Sequence, residues 1–334
     1  VPITDEGEVS FHAISFPAAG VYKYTLKETQ GSKPGYTYDS VTHHLEVTVT
    51  DTAGVLSLTW TDNTNPGNKV TFTNNYTPAP VNLAVPVKKV MTGNERPAQK
   101  ETFTFTLTAV GAAPMPANPT VTITDAGNAT FGNISFTKAG EYTYTLKETQ
   151  GTAQGYTYDG STHTLKAVVT DVNGALQVEW KDNNATVTEV TFTNDYEPNA
   201  ITLALPVKKV ITGNDRPAQK ETFTFTLAAV GTAPMPVNPT VTITDAGEAA
   251  FQAIKFPAAG VYKYTVKETQ GSKPGYTYDG ATHNITATVT DTQGVLSVAW
   301  TDDGAAGTKV TFTNNYDPAD ATLALPVKKV ITGN

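Results

Sequence analysis

Three side chains with complementary chemistry, a lysine, a glutamate and an asparagine, recur in the same order along the chain. In one copy they are Lys89, Glu148 and Asn194. A neutral amine is a nucleophile, and a protonated carboxyl group can bond the asparagine carbonyl and relay a proton to the departing ammonia. Held in alignment, these groups could form a lysine–asparagine isopeptide bond once, with no external substrate and no cofactor.

The same trio recurs 120 residues later, and parts of it occur near both ends of the chain. The later trio consists of Lys209, Glu268 and Asn314. Near the start, Glu28 and Asn74 have no preceding lysine, and near the end Lys329 stands alone. We therefore expect one cross-link in each complete trio, assisted by its glutamate, and none at Asn74 or Lys329 within this chain.

These groups lie in a sequence that repeats every 120 residues without insertion; the motif Gly-Tyr-Thr-Tyr-Asp starts at Gly35, Gly155 and Gly275. A unit of this length is far longer than a solenoid repeat, so each complete copy should be a domain with its own core. Short proline-containing breaks, which keep the chain extended, place the boundaries. The predicted divisions are a partial repeat lacking its first strands at 1–77, complete repeats at 80–197 and 199–317, and the first strand of a following repeat at 318–334.

Most segments alternate apolar and polar residues with a period of two, which is typical of half-buried β-strands. Alternate residues share one face of a strand. Three apolar stripes of the second repeat each end in one member of the trio: Val85 and Val87 lead to Lys89, Tyr144 and Leu146 to Glu148, and Val190 and Phe192 to Asn194. The predicted fold class is all-β, with tandem Ig-like antiparallel β-sandwich domains in a 120-residue repeat array.

Each of these polar residues, taken alone, would mark the point where a stripe leaves the core, because Lys and Glu are seldom fully buried. Together they offer each other partners, and burial favours the uncharged amine and the protonated acid that the reaction needs. The neighbouring Lys88 and Lys208 point to the opposite face and should stay solvated.

The segments that carry the later trio resemble the streptococcal pilin isopeptide-linkage domain of Gram-positive surface proteins. They read Leu-Pro-Val-Lys-Lys at 205–209, Val-Lys-Glu-Thr at 266–269 and Val-Thr-Phe-Thr-Asn at 310–314. In that family the bond joins a lysine on the first strand to an asparagine on the last, assisted by a glutamate between them. The resemblance spans both complete repeats and extends into both partial ones. It implies a structural, non-enzymatic stalk or shaft segment of a pilus or adhesin, located outside the cell at its surface or wall.

The amino-acid composition of the chain excludes several classes of binding partner. Acidic residues outnumber basic ones, 31 to 23, which argues against nucleic acid or an anionic membrane surface. The chain has no Cys, which excludes disulfides, and no apolar run long enough for a membrane span. The expected partners are neighbouring repeats of the same array or pilus, with cell-wall attachment through regions outside this segment. The alternative is a ligand-binding adhesin module that recognises host protein or glycan through exposed Tyr and Thr.

Other recurring polar residues indicate no metal site. His43, His163 and His283 occupy equivalent positions and are interpreted as single surface residues. Asp171-Val-Asn-Gly begins like a calcium loop but lacks the remaining ligands, so a hairpin turn is the better interpretation.

An ester cross-link between a threonine and a glutamine is a second possible internal bond. The recurring glutamines are Gln30, Gln150 and Gln270. Each precedes a glycine in a turn-like context, which favours the lysine–asparagine bond over the ester.

Overall fold

The computed structural model describes residues 1–67 and 69–333, and none of these lies in a helix. The strands recur in the same order and length from one complete repeat to the next. The prediction of a tandem all-β fold is therefore confirmed. Over the same two ranges, no helix is long and apolar enough to cross a membrane.

The strands of the first repeat are β1 (Gly20–Lys27), β2 (Tyr36–Thr37), β3 (Thr42–Thr52), β4 (Val55–Asp62), β5 (Asn65–Pro66) and β6 (Asn75–Tyr76). Those of the second are β7 (Val81–Leu83), β8 (Pro86–Gly93), β9 (Thr102–Val110), β10 (Thr120–Thr124), β11 (Gly127–Thr130), β12 (Ile134–Phe136), β13 (Gly140–Glu148), β14 (Tyr156–Thr157), β15 (Thr162–Val172), β16 (Ala175–Asp182), β17 (Ala185–Thr186) and β18 (Val190–Tyr196). Those of the third are β19 (Ile201–Leu203), β20 (Pro206–Gly213), β21 (Thr222–Val230), β22 (Thr240–Thr244), β23 (Gly247–Ala250), β24 (Ile254–Phe256), β25 (Gly260–Glu268), β26 (Tyr276–Thr277), β27 (Thr282–Thr292), β28 (Val295–Asp302), β29 (Ala305–Ala306) and β30 (Val310–Tyr316).

Two main sheets build each complete repeat. In the second repeat their strand orders are β10-β9-β13-β15-β16-β17 and β11-β8-β18-β14, and β7 pairs with β12. The core lies between the two sheets, where the ring centroids of Phe105 on β9 and Phe192 on β18 are 5.1 Å apart. The third repeat has the same orders, β22-β21-β25-β27-β28-β29 and β23-β20-β30-β26, with β19 paired to β24.

The opening and closing strands of each complete repeat pair in parallel, an exception within the predicted antiparallel sandwich. Val87 on β8 lies opposite Val190 on β18, and β20 pairs with β30 in the same way. The chain therefore enters and leaves a repeat at opposite ends of one strand pair. A pull on the two ends loads that pair in shear.

The ends of the chain hold fewer strands. In the complete repeats the closing strand pairs in parallel with β8 or β20. Residues 1–19 form no such strand, and the closing segment of the first repeat is the short β6. Residues 318–333, predicted as a first strand, form no strand. Their counterpart β20 is held between β23 and β30, and no such neighbours flank these residues. We propose the predicted divisions as the module boundaries and call 1–77, 80–197 and 199–317 the first, second and third modules.

Candidate functional site

The trio of the second module converges between its two sheets. Lys89 lies on β8 and Asn194 on the neighbouring β18, whereas Glu148 ends β13 in the opposite sheet. Lys89 is 1% exposed, Asn194 0% and Glu148 5%, and the trio of the third module has the same exposures. The alternation that buries the apolar stripes therefore carries these three polar groups into the core as well.

The glutamate bridges the other two groups. Lys89 Nζ donates a hydrogen bond to Glu148 Oε2 at 2.8 Å, and Asn194 Nδ2 donates to Oε1 at 2.7 Å. Both distances recur in the third module, where the donors are Lys209 Nζ and Asn314 Nδ2 and the acceptor is Glu268. One carboxyl group thus contacts both the nucleophile and the amide nitrogen that would leave.

The lysines lie in an apolar environment. The Nζ atom of Lys89 lies 4.7 Å from the ring centroid of Phe103, and that of Lys209 lies 4.7 Å from the centroid of Phe223. Burial lowers the pKa of both lysines, and the hydrogen bond and charge of the glutamate oppose this shift only in part. A lowered pKa increases the fraction of neutral, nucleophilic amine.

The asparagine carbonyl has a partner that the sequence did not indicate. We expected the glutamate to bond this oxygen, but Asn194 Oδ1 instead accepts the peptide N–H of Asp159 at 2.7 Å. The Asp159 carboxylate accepts the N–H groups of Ser161 at 2.9 Å and Thr193 at 2.8 Å, which holds this loop beside β18. A peptide N–H directed at the carbonyl oxygen has the position of an oxyanion-hole donor.

The same contact occurs in the other modules. Asn74 Oδ1 accepts the N–H of Asp39 at 2.8 Å, and Asn314 Oδ1 accepts that of Asp279 at 2.7 Å. These aspartates end the recurring Gly-Tyr-Thr-Tyr-Asp motif, and its constant spacing was the available signal. Sequence reasoning missed the contact because the donor is a peptide group, whose direction depends on the folded loop.

The glutamate and asparagine of the first module also meet. Asn74 Nδ2 donates to Glu28 Oε1 at 2.7 Å. Glu28 Oε2, the counterpart of the oxygen that receives the lysine in the complete modules, is buried and has no hydrogen-bond partner among the described residues. Lys329 lies in the exposed segment 318–333. The glutamate–asparagine contact therefore forms without a lysine.

The prediction that Lys88 stays solvated is confirmed. Lys88 points away from the core, is 45% exposed and contacts Glu189 at 3.3 Å.

The interpretation of the histidines as single surface residues is wrong. His163 Nδ1 lies 2.5 Å from Asp182 Oδ2, and the equivalent pairs at His43 and His283 are at 2.6 and 2.7 Å. The partners lie on the adjacent strand, a pairing that local sequence does not reveal.

Two of the remaining patterns are explained by turns. Asp171 Oδ1 accepts the N–H of Gly174 at 2.9 Å between β15 and β16, which confirms the hairpin. Gln150 Nε2 donates to the carbonyl of Asp159 at 2.7 Å, so this glutamine serves to hold the loop.

One group in the third module has the composition of a metal site. Ligand atoms of His283, Asp302 and Asp303 all lie within 4.8 Å of one another. The aspartate at 303 is replaced by Asn63 and Asn183 in the other modules, so the group is not a feature of the repeat.

Comparison with protein families gives one match that recurs along the chain. The model of FctA, described as the Spy0128-like isopeptide containing domain, matches residues 2–77, 85–197 and 205–317. No curated protein matches the sequence.

Solved structures of pilus proteins show similarity at low identity. The major pilin protein (T-13) from Streptococcus pyogenes is 19% identical with a TM-score of 0.31, over 72% of this chain and 100% of that one. The major pilin from Streptococcus pyogenes is 18% identical with a TM-score of 0.31, over 70% and 98%. The pilus adhesin SpaC from Lactobacillus rhamnosus GG, in its open conformation, is 14% identical with a TM-score of 0.19, over 92% and 44%.

Proposed function

The chain belongs to the Spy0128-like isopeptide containing domain family, and from this membership we propose that it is a structural stalk segment of a Gram-positive pilus or surface adhesin. Each complete module would close through one self-formed isopeptide bond, Lys89–Asn194 in the second module and Lys209–Asn314 in the third. The observation that carries the proposal is the buried glutamate that contacts both the amine and the amide.

The proposed reaction uses only groups of the module. The neutral Nζ of Lys89 attacks the side-chain carbon of Asn194, and the oxygen that gains negative charge keeps the N–H of Asp159 as donor. Glu148 transfers the proton that the attacking amine loses to the amide nitrogen. That nitrogen leaves as ammonia, the new bond joins Nζ to the former amide carbon, and the carboxyl group ends in its initial state.

The position of the bond supports a mechanical role. It would join β8 to β18, the parallel pair that a pull on the module loads in shear. A covalent link there carries the load past the hydrogen bonds of the sheet, and the residues between Lys89 and Asn194 stay folded behind it. The chain has no Cys, so this bond would serve in place of a disulfide.

We propose an extracellular location at the cell surface or cell wall, with like modules as neighbours and wall attachment through other regions. The ligand-binding alternative is less well supported, because it needs free tyrosines. In the second module the hydroxyls of Tyr142 and Tyr144 donate to the carbonyls of Lys138 and Pro114. These tyrosines stabilise their own module.

Intact-mass spectrometry of the full chain tests the cross-links. We expect a mass lower than that calculated from the sequence by two molecules of ammonia. After proteolytic digestion, the peptides that contain Lys89 and Asn194 should be found as one cross-linked species. The double variant Asn194→Ala and Asn314→Ala is the matched control and should show the full mass of its sequence. A wild-type mass without any deficit would overturn the proposal.

A further inference from the structure

The contacts between successive modules follow one pattern. The hairpin turn of one module contacts the closing tyrosine of the module before it. Tyr76 Oη donates to Asp171 Oδ2 between the first and second modules, and Tyr196 Oη donates to Asp291 Oδ2 between the second and third, both at 2.5 Å. Because the same pair of residue types meets at both places, the contact is a property of the repeat.

The segments that connect the modules are also held by backbone contacts. Ala79, between the first two modules, forms a parallel bridge with Ala175, and its counterpart Asn199, at the start of the third module, forms one with Val295. Between the first two modules, the N–H of Ala79 donates to the carbonyl of Gly174 at 2.8 Å and that of Leu176 donates to Ala79 at 3.0 Å. The connecting segment thus runs beside the next hairpin as a short strand, whereas a free linker would sample many conformations.

The hairpin glycines allow a close approach of the two backbones. Gly294 has a φ of +84°, and a Cβ at this position would overlap the carbonyl of Gln154 in the preceding module. A Cβ at Gly174 would lie 2.5 Å from the carbonyl oxygen of Pro34. Gly54, at the same turn position with a φ of +83°, has no atom within 4 Å of such a Cβ. All three turns need glycine for the backbone, but only two of them also need it for docking.

Further contacts join the second and third modules. Gln293 Nε2 donates to Gln99 Oε1 at 3.0 Å, and Asn94 Nδ2 donates to the carbonyl of Pro257 at 3.1 Å. Hydrogen bonds at several points of one interface restrict both tilt and twist between the modules.

We propose that the hairpin of each module and the closing tyrosine of the preceding module form an inter-module joint that fixes the angle between neighbours and makes the array a stiff rod. The partner of each surface is a neighbouring module of the same repeat. The joint gives the proposed stalk its rigidity, and so this inference rests on the proposed function. It does not depend on the isopeptide bond, because none of the trio residues takes part in it.

Because the chain has no Cys, two introduced cysteines can each be labelled specifically, and the distance between them can be measured in the full chain. Spin labels at Asn133→Cys and Ala253→Cys occupy equivalent, exposed positions in the second and third modules. Double electron–electron resonance should give a narrow distribution of the distance between the two labels. The joint variant Tyr196→Phe with Gly294→Ala removes the hydroxyl and blocks the approach, and its distribution should be at least about twofold wider, as expected for a flexible connection.

The chain supplies its own control for these substitutions. Tyr316→Phe with Gly54→Ala makes the same two changes at positions outside the two joints and should leave the distribution unchanged. An unchanged distribution in the joint variant, or equal broadening in the control, would overturn the proposal. Tyr196→Phe alone removes the hydroxyl but leaves Gly294 in place, so the two backbones can still approach closely, and it should broaden the distribution less.

The same labelled samples separate this inference from the proposed cross-links. Their intact masses report whether the isopeptide bonds have formed, and the distance distribution reports only on the joint. A normal ammonia deficit with an unchanged distance distribution in the joint variant would refute the joint alone. A missing deficit with a narrow wild-type distribution would refute the cross-links alone.

Discussion

Asn194 lies on the strand next to Lys89, two positions beyond the residue that faces Lys89 across the parallel pair, and both side chains contact the same carboxyl group. The two residues are 105 positions apart in the sequence (194 − 89). They meet only when the first and last strands of the module pair. The proposed bond therefore has to follow folding, and it would fix the strand pair that completes the module.

Removal of one glutamate should eliminate one cross-link. In Glu148→Ala the second module loses its proton relay, which is typically worth about 10²–10⁴-fold in rate. The ammonia deficit in the intact mass should fall from two molecules to one. Glu28→Ala is the matched control and should keep both, since Glu28 has no lysine contact. A deficit of two in Glu148→Ala would contradict the assigned role.

Loss of the third-module bond should lower its free energy of unfolding. Lys209 and Asn314 enclose a loop of 105 positions (314 − 209). By analogy with a disulfide, closing a loop of this size stabilises by about 4.7 kcal/mol. Glu268→Gln keeps the shape of the side chain but cannot relay the proton, so the third-module bond should not form. Urea unfolding should therefore show a third module less stable than that of the wild type by about 5 kcal/mol. Equal stability of Glu268→Gln and wild type would contradict this prediction, and Glu28→Gln serves as the control.

Mechanical extension should distinguish linked from unlinked modules. In the double variant Asn194→Ala and Asn314→Ala, each unfolding step should release an additional length of about 380 Å. This is the length of the enclosed residues at roughly 3.6 Å per residue. Single-molecule force spectroscopy on the full chain measures these steps. Wild-type steps as long as those of the variant would show that no covalent link carries the load.

The buried lysines should make the unlinked chain more stable as the pH rises. Burial lowers the pKa of Lys89 and Lys209 below the ordinary 10.5, so the unfolded state binds more protons between the lowered value and 10.5. In Asn194→Ala with Asn314→Ala, the urea midpoint should rise with pH across this window. The same chain with Lys89→Met and Lys209→Met lacks both titrating groups and should lack this component of the rise. If the urea midpoints of the two chains changed with pH in parallel, a lowered pKa of the two lysines would be ruled out.

Asp159 should position the asparagine without being essential for the bond. Asp159→Ala releases the loop whose N–H contacts Asn194 Oδ1, so newly synthesised chain should form the second-module bond up to about 100-fold more slowly. Asp159→Asn keeps a side-chain acceptor and should restore part of the rate. The third module supplies an internal control in the same molecule. Equal rates in both modules of Asp159→Ala would remove Asp159 from the mechanism.

The trio and its faces could be predicted because strand alternation is a local property. Each apolar stripe indicated the direction of the polar residue that ends it, and Lys89, Glu148 and Asn194 are all buried together. The parallel pairing of β8 with β18, the peptide donor at Asp159 and the histidine–aspartate pairs could not be predicted. They depend on where distant backbones come together, and no local pattern specifies this.

One stretch of sequence occurs twice and shows the limit of local information. Residues 202–213 and 322–333 are identical. In the first copy β20 forms and Leu205 is fully buried, whereas the second copy forms no strand and Leu325 is 77% exposed. The sequence by itself determined the repeat, the strand pattern and the residues that could react. Only the tertiary structure decided which copies became strands and which trios met, because a strand needs partners for its backbone hydrogen bonds and a covering layer for its apolar face.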